Sequence, residues 1–208
     1  MGLFITFEGP DGSGKSTHIR LLTQALKDRG CDVVVTREPG GCPISEKIRE
    51  LVLDKENSTM DPVTEALLYA ASRAQHVREV IKPALAAGKT VISDRYVDSS
   101  IAYQGIGRGL GEELVRSINA PAIDGLMPDI TFFLSVGVRE TQSRISDRDL
   151  DRLELAGANF HQRVYQAFGE MAQREPARMV TINATRPKPE VHRSVMDVVE
   201  RVLQIYNK

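Results

Sequence analysis

Three observations in the sequence predict an α/β fold, a five-stranded parallel sheet covered by helices on both faces. Short apolar runs alternate with helical stripes along the chain, the rhythm of crossover units rather than of hairpins. The first run stops abruptly at a glycine-rich turn that leads straight into a helix. The 208 residues, 41% hydrophobic and 26% charged, have ordinary globular usage and can bury a sizeable core. That length fits a single domain over residues 1–208 and is cramped for two unrelated ones.

Residues 3–8 hold Leu3, Phe4, Ile5 and Phe7 ahead of Gly9-Pro10-Asp11-Gly12, as a buried strand does when it turns sharply at its carboxyl end. A helix is expected over 16–29, with Ile19, Leu22, Ala25 and Leu26 on one face and Gly30 placed for a left-handed cap. Val33, Val34 and Val35 mark strand two over 32–36, and the turn-rich Arg37-Glu38-Pro39-Gly40-Gly41 leads to a helix over 44–53. From 61 to 87 the positions Val63, Ala66, Leu67, Ala70, Ala74, Val77, Ile81 and Leu85 keep the helical period, giving one long helix with a possible kink at Pro83. Residues 90–93, 130–134 and 179–182 read as further buried strands, and helical stripes run over 160–172 and 191–206. Between 139 and 163 the rhythm breaks, and Arg139, Arg144, Arg148, Arg152 and Arg163 crowd among Asp147, Asp149, Asp151 and Glu154. That stretch reads either as a short mobile lid, about 139–158, or as a solvated helical face.

Lys plus Arg number 27 against 28 Asp plus Glu, a formal charge of −1. No global positive field draws such a chain to nucleic acid or anionic lipid, so neither is expected as a partner and any polyanion site must be local. Cys31 and Cys42 are too few to staple a fold of this size and suit a reducing compartment. No stretch approaches the roughly 20 apolar residues of a membrane span, and the N-terminus lacks the regions of a signal peptide, so cytoplasmic residence is expected. His18, His76, His161 and His192 show no metal-ligand spacing with the cysteines, and they read as structural or surface residues.

The run Gly9-Pro10-Asp11-Gly12-Ser13-Gly14-Lys15-Ser16 has the spacing of a phosphate-binding loop, and it lies between a predicted strand and a predicted helix. Its glycines let successive N–H groups and the helix N-terminus face phosphate oxygens, Lys15 can neutralise the β and γ groups, and the Ser16 hydroxyl can ligate magnesium. Asp94, closing strand three, is placed either to join that metal or to cap a helix. Arg37, Arg73 and Arg95 follow strand two, sit in the long helix and follow strand three. Parallel packing can bring them to one rim as a second phosphate site, whereas singly each would read as a surface charge.

Phe7-Glu8-Gly9 through Lys15-Ser16-Thr17, Thr36-Arg37-Glu38-Pro39-Gly40-Gly41, Asp94-Arg95-Tyr96 and Ala102-Tyr103-Gln104-Gly105 together resemble the thymidylate kinase family of nucleoside monophosphate kinases. Leu68-Tyr69-Ala70-Ala71-Ser72-Arg73 and Asp151-Arg152-Leu153-Glu154 extend the likeness along nearly the whole chain. The resemblance implies a P-loop kinase fold and, in nucleotide biosynthesis, transfer of the ATP γ-phosphoryl to thymidine monophosphate (dTMP), with Mg2+ accompanying ATP and a homodimer as the usual assembly. It implies that Gly9, Pro10, Asp11, Gly12, Ser13, Gly14, Lys15, Ser16 and Thr17 hold ATP, and that Ser16 and Asp94 face the metal. Arg73 and Arg95, helped by Arg37, would hold the acceptor phosphate, and Tyr69 would stack on the thymine. Asp11 would meet the 3′-hydroxyl, Tyr103 would crowd the 2′ position beside Gln104, and Ser99 and Ser100 would lie next to the base.

Lys15 and Arg95 would act on the transferring phosphoryl. No arginine lies between Gly9 and Lys15, so the chain resembles the type whose flap supplies that charge, with Arg148 or Arg152 as candidates and Arg144 behind them. Family members often have Phe in place of Tyr69 and Thr in place of Cys42. The acceptor, a phosphate monoester with a second pKa near 6, is already ionised at neutral pH and needs no general base. A kinase of another nucleotide on the same scaffold remains the alternative enzyme. A nucleotide switch is the alternative of another class, against which stands the lack of an Asn-Lys-x-Asp signature.

Overall fold

The computed structural model describes residues 2–145 and 150–206, without the side chains at 139, 142, 144, 145 and 204–206. Arg148 therefore lies outside the described residues, as does the Arg144 side chain. Strands β1 (Phe4–Glu8), β2 (Val33–Arg37), β3 (Thr90–Asp94), β4 (Ile130–Ser135) and β5 (Met179–Asn183) form one parallel sheet in the order β2-β3-β1-β4-β5. Phe7 pairs with Asp94 and Phe132, and Arg37 also pairs with Asp94, so the carboxyl ends of β1, β2 and β3 lie side by side. The connection from β1 runs past β3 to β2, whereas that from β3 runs the other way past β1 to β4, and the crevice above such a reversal is where ligands of open α/β sheets bind.

Alternation along the strands sends neighbouring side chains to opposite faces. Ile5, Phe7, Phe132 and Leu134 pack with Leu22 and Leu26 of α1 (Lys15–Lys27) and Val195 and Val199 of α9 (Lys188–Tyr206). On the other face Phe4 and Val91 meet Val77, Ile81 and Tyr96, while Phe133 meets Phe160, Phe168 and Met171 of α8 (Ala158–Arg174). Each such side chain contributes about 1.5–3 kcal/mol when fully buried, and burial on both faces is why the strands read as unbroken apolar runs.

Two stretches differ from the sequence reading. The long helix over 61–87 is helical throughout but not uniform: α3 (Pro62–His76) passes through a π turn (Val77–Ile81) into α4 (Lys82–Ala86). There the Lys82 N–H donates to Val77 O, five residues back, and the wider turn accommodates Pro83, which has no N–H to give. Between β3 and β4, where the apolar rhythm assigns nothing, α5 (Val97–Ser100) runs into a second π turn (Ile101–Gly107), followed by α6 (Glu112–Ile123). Asp98, Ser99, Ser100 and Gln104 are buried there, so polar side chains face inward and blur the stripe. Helix α2 (Pro43–Leu53) fits its expectation, and α7 (Val138–Ile145) opens the stretch read as a lid.

Candidate active site

The loop after β1 takes its shape from backbone freedom. Gly9 has φ +133°, and a Cβ there would stand 2.8 Å from Leu134 O; Gly14, at φ +94°, begins α1 with no side-chain cap. No acidic residue lies in the first turn of α1, so its positive end is left for an outside anion. Lys15 is buried, and its Nζ donates to Gly9 O at 3.0 Å and Pro10 O at 3.1 Å, with Asp11 Oδ1 3.6 Å away. Burial, and then the Arg95 charge, pull the Lys15 ammonium below its usual pKa, against Asp11, Asp94 and Glu8. The Ser13 hydroxyl is buried with no hydrogen-bond partner among the described residues, as a donor kept for a ligand would be.

Ser16 and Asp94 line one open cleft beside α1, together with Thr36 and Arg37. Asp94 Oδ1 is buried and, among the described residues, lacks a hydrogen-bond partner. Such an orphaned carboxylate oxygen beside a hydroxyl fits magnesium, which takes one or two protein carboxylates and otherwise keeps water and phosphate oxygens. Among the described residues no group of three or more His, Cys, Asp or Glu could hold a metal ion.

A second cleft opens beside the loop. Asp11, Tyr69, Arg95, Ser99, Ser100, Tyr103 and Gln104 line it, together with Glu38, Pro39, Arg49, Leu53, Asp151 and Leu153. Arg95 is its main cation. Its Nη2 donates to both Asp11 oxygens at 3.0 and 3.1 Å, its Nη1 donates to Ser99 Oγ at 3.1 Å, and its guanidinium lies 5.1 Å from the Tyr103 ring centre. Arg95 has φ +72°, a conformation that costs a non-glycine residue about 1–3 kcal/mol. The Ser93 hydroxyl holds it by donating to Arg95 O, and Glu8 holds the next residue by accepting from Tyr96 N at 2.8 Å. Burial pushes the Tyr69 and Tyr103 phenols up, so both rings stay neutral.

The other arginines expected at this site are each paired with a glutamate. Arg73 is 1% exposed and spends its donors on Glu38 Oε2 at 2.7 Å, Ser100 Oγ at 3.0 Å, Tyr96 O at 3.0 Å and Asn119. Arg37 lines the cleft beside α1 and pairs with Glu46 at 2.8 Å. Arg152 is buried against Glu65 at 2.6 Å. Among the described residues, then, Arg95 and Lys15 are brought to the phosphate loop, while Arg37, Arg73 and Arg152 pair with Glu46, Glu38 and Glu65.

Glu8, Glu38 and Glu65, all buried, and Arg49, Leu53, Asp151 and Leu153 in the cleft wall are functional-site residues to which no sequence motif assigns a role. Glu8 accepts from Ser99 Oγ at 2.6 Å, and burial, then the nearby Asp98, push its carboxyl up to about 7. Glu38 accepts from Arg73 and from His76 Nδ1 at 3.0 Å, while His76 Nε2 lies 2.6 Å from Thr36 Oγ1. A charged residue closing an apolar strand was the available signal for Glu8; Glu65, inside a helical stripe, offered none.

Comparison with known proteins agrees with this geometry. The family model described as thymidylate kinase matches residues 7–195. The thymidylate kinase of Finegoldia magna is 52% identical over 200 residues, covering 96% of this chain and 98% of its own, and that of Bacillus pumilus is 46% identical over 206 residues, covering 98% and 97%. A crystal structure of thymidylate kinase from Ehrlichia chaffeensis superposes with a TM-score of 0.78 at 36% identity, covering 95% of this chain and 98% of that one. With the family model matching residues 7–195 and these relatives covering nearly the whole chain, the chain belongs to the thymidylate kinase family.

Proposed function

We propose that this chain transfers the γ-phosphoryl of ATP to dTMP, giving the diphosphate, with the loop cleft holding the donor and the Arg95 cleft holding the acceptor. One observation carries the two-site reading: Arg95, in the acceptor cleft, is bonded to Asp11 of the phosphate loop, so the two cationic sets share one gap. The incoming monophosphate oxygen forms its bond to the γ phosphorus as the bond to the β–γ bridging oxygen breaks. Both partners are anions, so positioning and charge neutralisation carry the catalysis. Lys15 would turn from the Gly9 and Pro10 carbonyls to the donor phosphates, and Arg95 from Asp11 to the acceptor phosphate. Asp11, thus released, lies beside the sugar. Tyr69 offers a ring face to the base, and Tyr103 crowds the sugar. Ser16 and Asp94 would hold magnesium, which supplies positive charge at the β and γ oxygens.

Arg148 is proposed as the lid charge on the transferred phosphoryl; Arg148→Ala should lower turnover with acceptor affinity kept. A homodimer is supported by Ile44 and Leu51 of α2 and Val63 and Leu67 of α3, exposed apolar side chains on helices that pack together. A monomer by analytical ultracentrifugation would remove that part. Cys31 and Cys42 are free thiols, in keeping with cytoplasmic residence, and no helix of the described residues is long and apolar enough to cross a membrane. The deciding experiment mixes ATP, Mg2+ and each deoxynucleoside monophosphate and analyses products. Diphosphate formed preferentially from dTMP is expected. Preference for another monophosphate would favour the alternative kinase, and nucleotide binding with no transfer to any acceptor would favour the switch.

A further inference from the structure

Glu65, in the first turns of α3, is fully buried and lies just behind the acceptor cleft. Gln104 Nε2 donates to its Oε1 at 2.8 Å, Arg108 donates to its two oxygens at 3.3 and 3.1 Å, and Arg152 Nη2 donates to Oε2 at 2.6 Å. Arg152 reaches further. Its Nε donates to Val52 O at 2.9 Å and its backbone N–H to Leu53 O at 3.2 Å, carbonyls at the C-terminal end of α2 that no later helical turn can satisfy. One residue thereby joins the end of α2, the start of α3 and the 150–154 segment.

Each joined piece carries a cleft residue beside the joint. Leu53 ends α2, Tyr69 lies one turn beyond Glu65, Gln104 is bonded to Glu65 directly, and Asp151 and Leu153 flank Arg152. Glu65 and Arg152 themselves are not in the lining. We propose that Glu65 and Arg152 are positioning residues for the acceptor, a buried clasp that seats the 150–154 segment as a cleft wall and orients Gln104. The proposal rests on the reading of that cleft as the dTMP site. It also gives Arg152 a different task from the transferred phosphoryl, because its Nε and Nη2 are committed to Val52 and Glu65. A buried ion pair is a weak source of net stability because desolvation offsets its attraction, whereas its fixed geometry can hold a wall in register.

Steady-state kinetics with dTMP and ATP varied separately test this on Arg152→Met, Arg152→Lys, Glu65→Gln and the Arg152→Met/Glu65→Gln double variant, with thermal melts to establish folding. Arg152→Met should raise the dTMP KM by about tenfold or more and change kcat and the ATP KM by less than about threefold, since a misplaced positioning group can cost up to about 10²-fold. Glu65→Gln should do the same, and the double variant should add little to either single change. Arg152→Lys, still able to reach Glu65, should recover part of the loss. A fall in kcat with the dTMP KM unchanged would put Arg152 on the phosphoryl and overturn the clasp, as would parent-like kinetics in Arg152→Met. If Glu65→Gln does not fold, Arg152→Met decides alone, because Gln104 and Arg108 still satisfy the carboxylate. A parent chain that turns over no dTMP sinks the acceptor reading and the clasp with it; an active parent with unchanged variants sinks the clasp only.

Discussion

One continuous run, Gly9 to Ser16, makes the proposed donor half of the site, whereas the proposed acceptor half draws on the loop, α3, the end of β3, α5, the following π turn and the 150–154 segment. In the first half the covalent chain sets the spacing, and glycine conformations plus one helix N-terminus do the rest. In the second half, spacing depends on tertiary contacts, and three buried glutamates make them. Glu8 holds Tyr96 N and Ser99, Glu38 holds Arg73 and His76, and Glu65 holds Gln104, Arg108 and Arg152. A contiguous anion cradle needs little support, but a cleft assembled from separate elements is only as ordered as the polar joints behind it.

Arg73 and Arg95 test this contrast most directly, because the first is buried behind the cleft and the second lines it. Arg73→Met removes a partner from a buried carboxylate and should destabilise the fold by about 3–5 kcal/mol in denaturant titrations. Arg95→Met, at the cleft surface, should leave stability nearly intact and weaken dTMP binding by calorimetry by about 2–5 kcal/mol. If Arg73→Met folds normally and loses dTMP affinity instead, its task is the acceptor contact that the family resemblance implies.

The joint at Glu8 should respond to pH. Burial and Asp98 raise its carboxyl from 4.5 to about 7, against the smaller opposing influence of Arg95, Ser99 and Tyr96. A folded chain then keeps a proton that the unfolded chain releases above 4.5, so this contribution to stability is present at acid pH and is lost as pH rises through about 7. The melting temperature should therefore drop between about pH 5 and 8, and Glu8→Gln, which carries no titrating proton, should flatten that drop. An identical pH slope in the variant would mean that Glu8 is ionised across the whole range.

The donor half was legible because a glycine-lysine spacing is local and because strands buried on both faces show as plain apolar runs. The acceptor half was legible only in its parts. Arg73 and Arg95 look alike in sequence, and which one turns inward depends on Glu38, Ser100 and Asn119, which reach it from other elements. The helical run from Val97 to Gly107 was hidden because the residues serving the cleft are polar and face inward, opposite to the pattern by which a surface helix is recognised. Glu65 reads as an ordinary charge on a helix face until Arg152 and Arg108 are brought to it.

Tyr69 gives the smallest expected effect and the finest test of how the acceptor half grips its ligand. The side chain is 8% exposed, lines the cleft, and its phenol is held neutral by burial. If the ring face does the binding, Tyr69→Phe keeps it and should change dTMP affinity by less than about 1 kcal/mol, while Tyr69→Ala should lose the roughly 1–3 kcal/mol of base–aromatic stacking. Calorimetry with dTMP on both variants separates the alternatives. A large loss in Tyr69→Phe would mean that the hydroxyl grips the nucleotide, moving this residue from a shape-reading surface to one of the polar joints on which the assembled cleft depends.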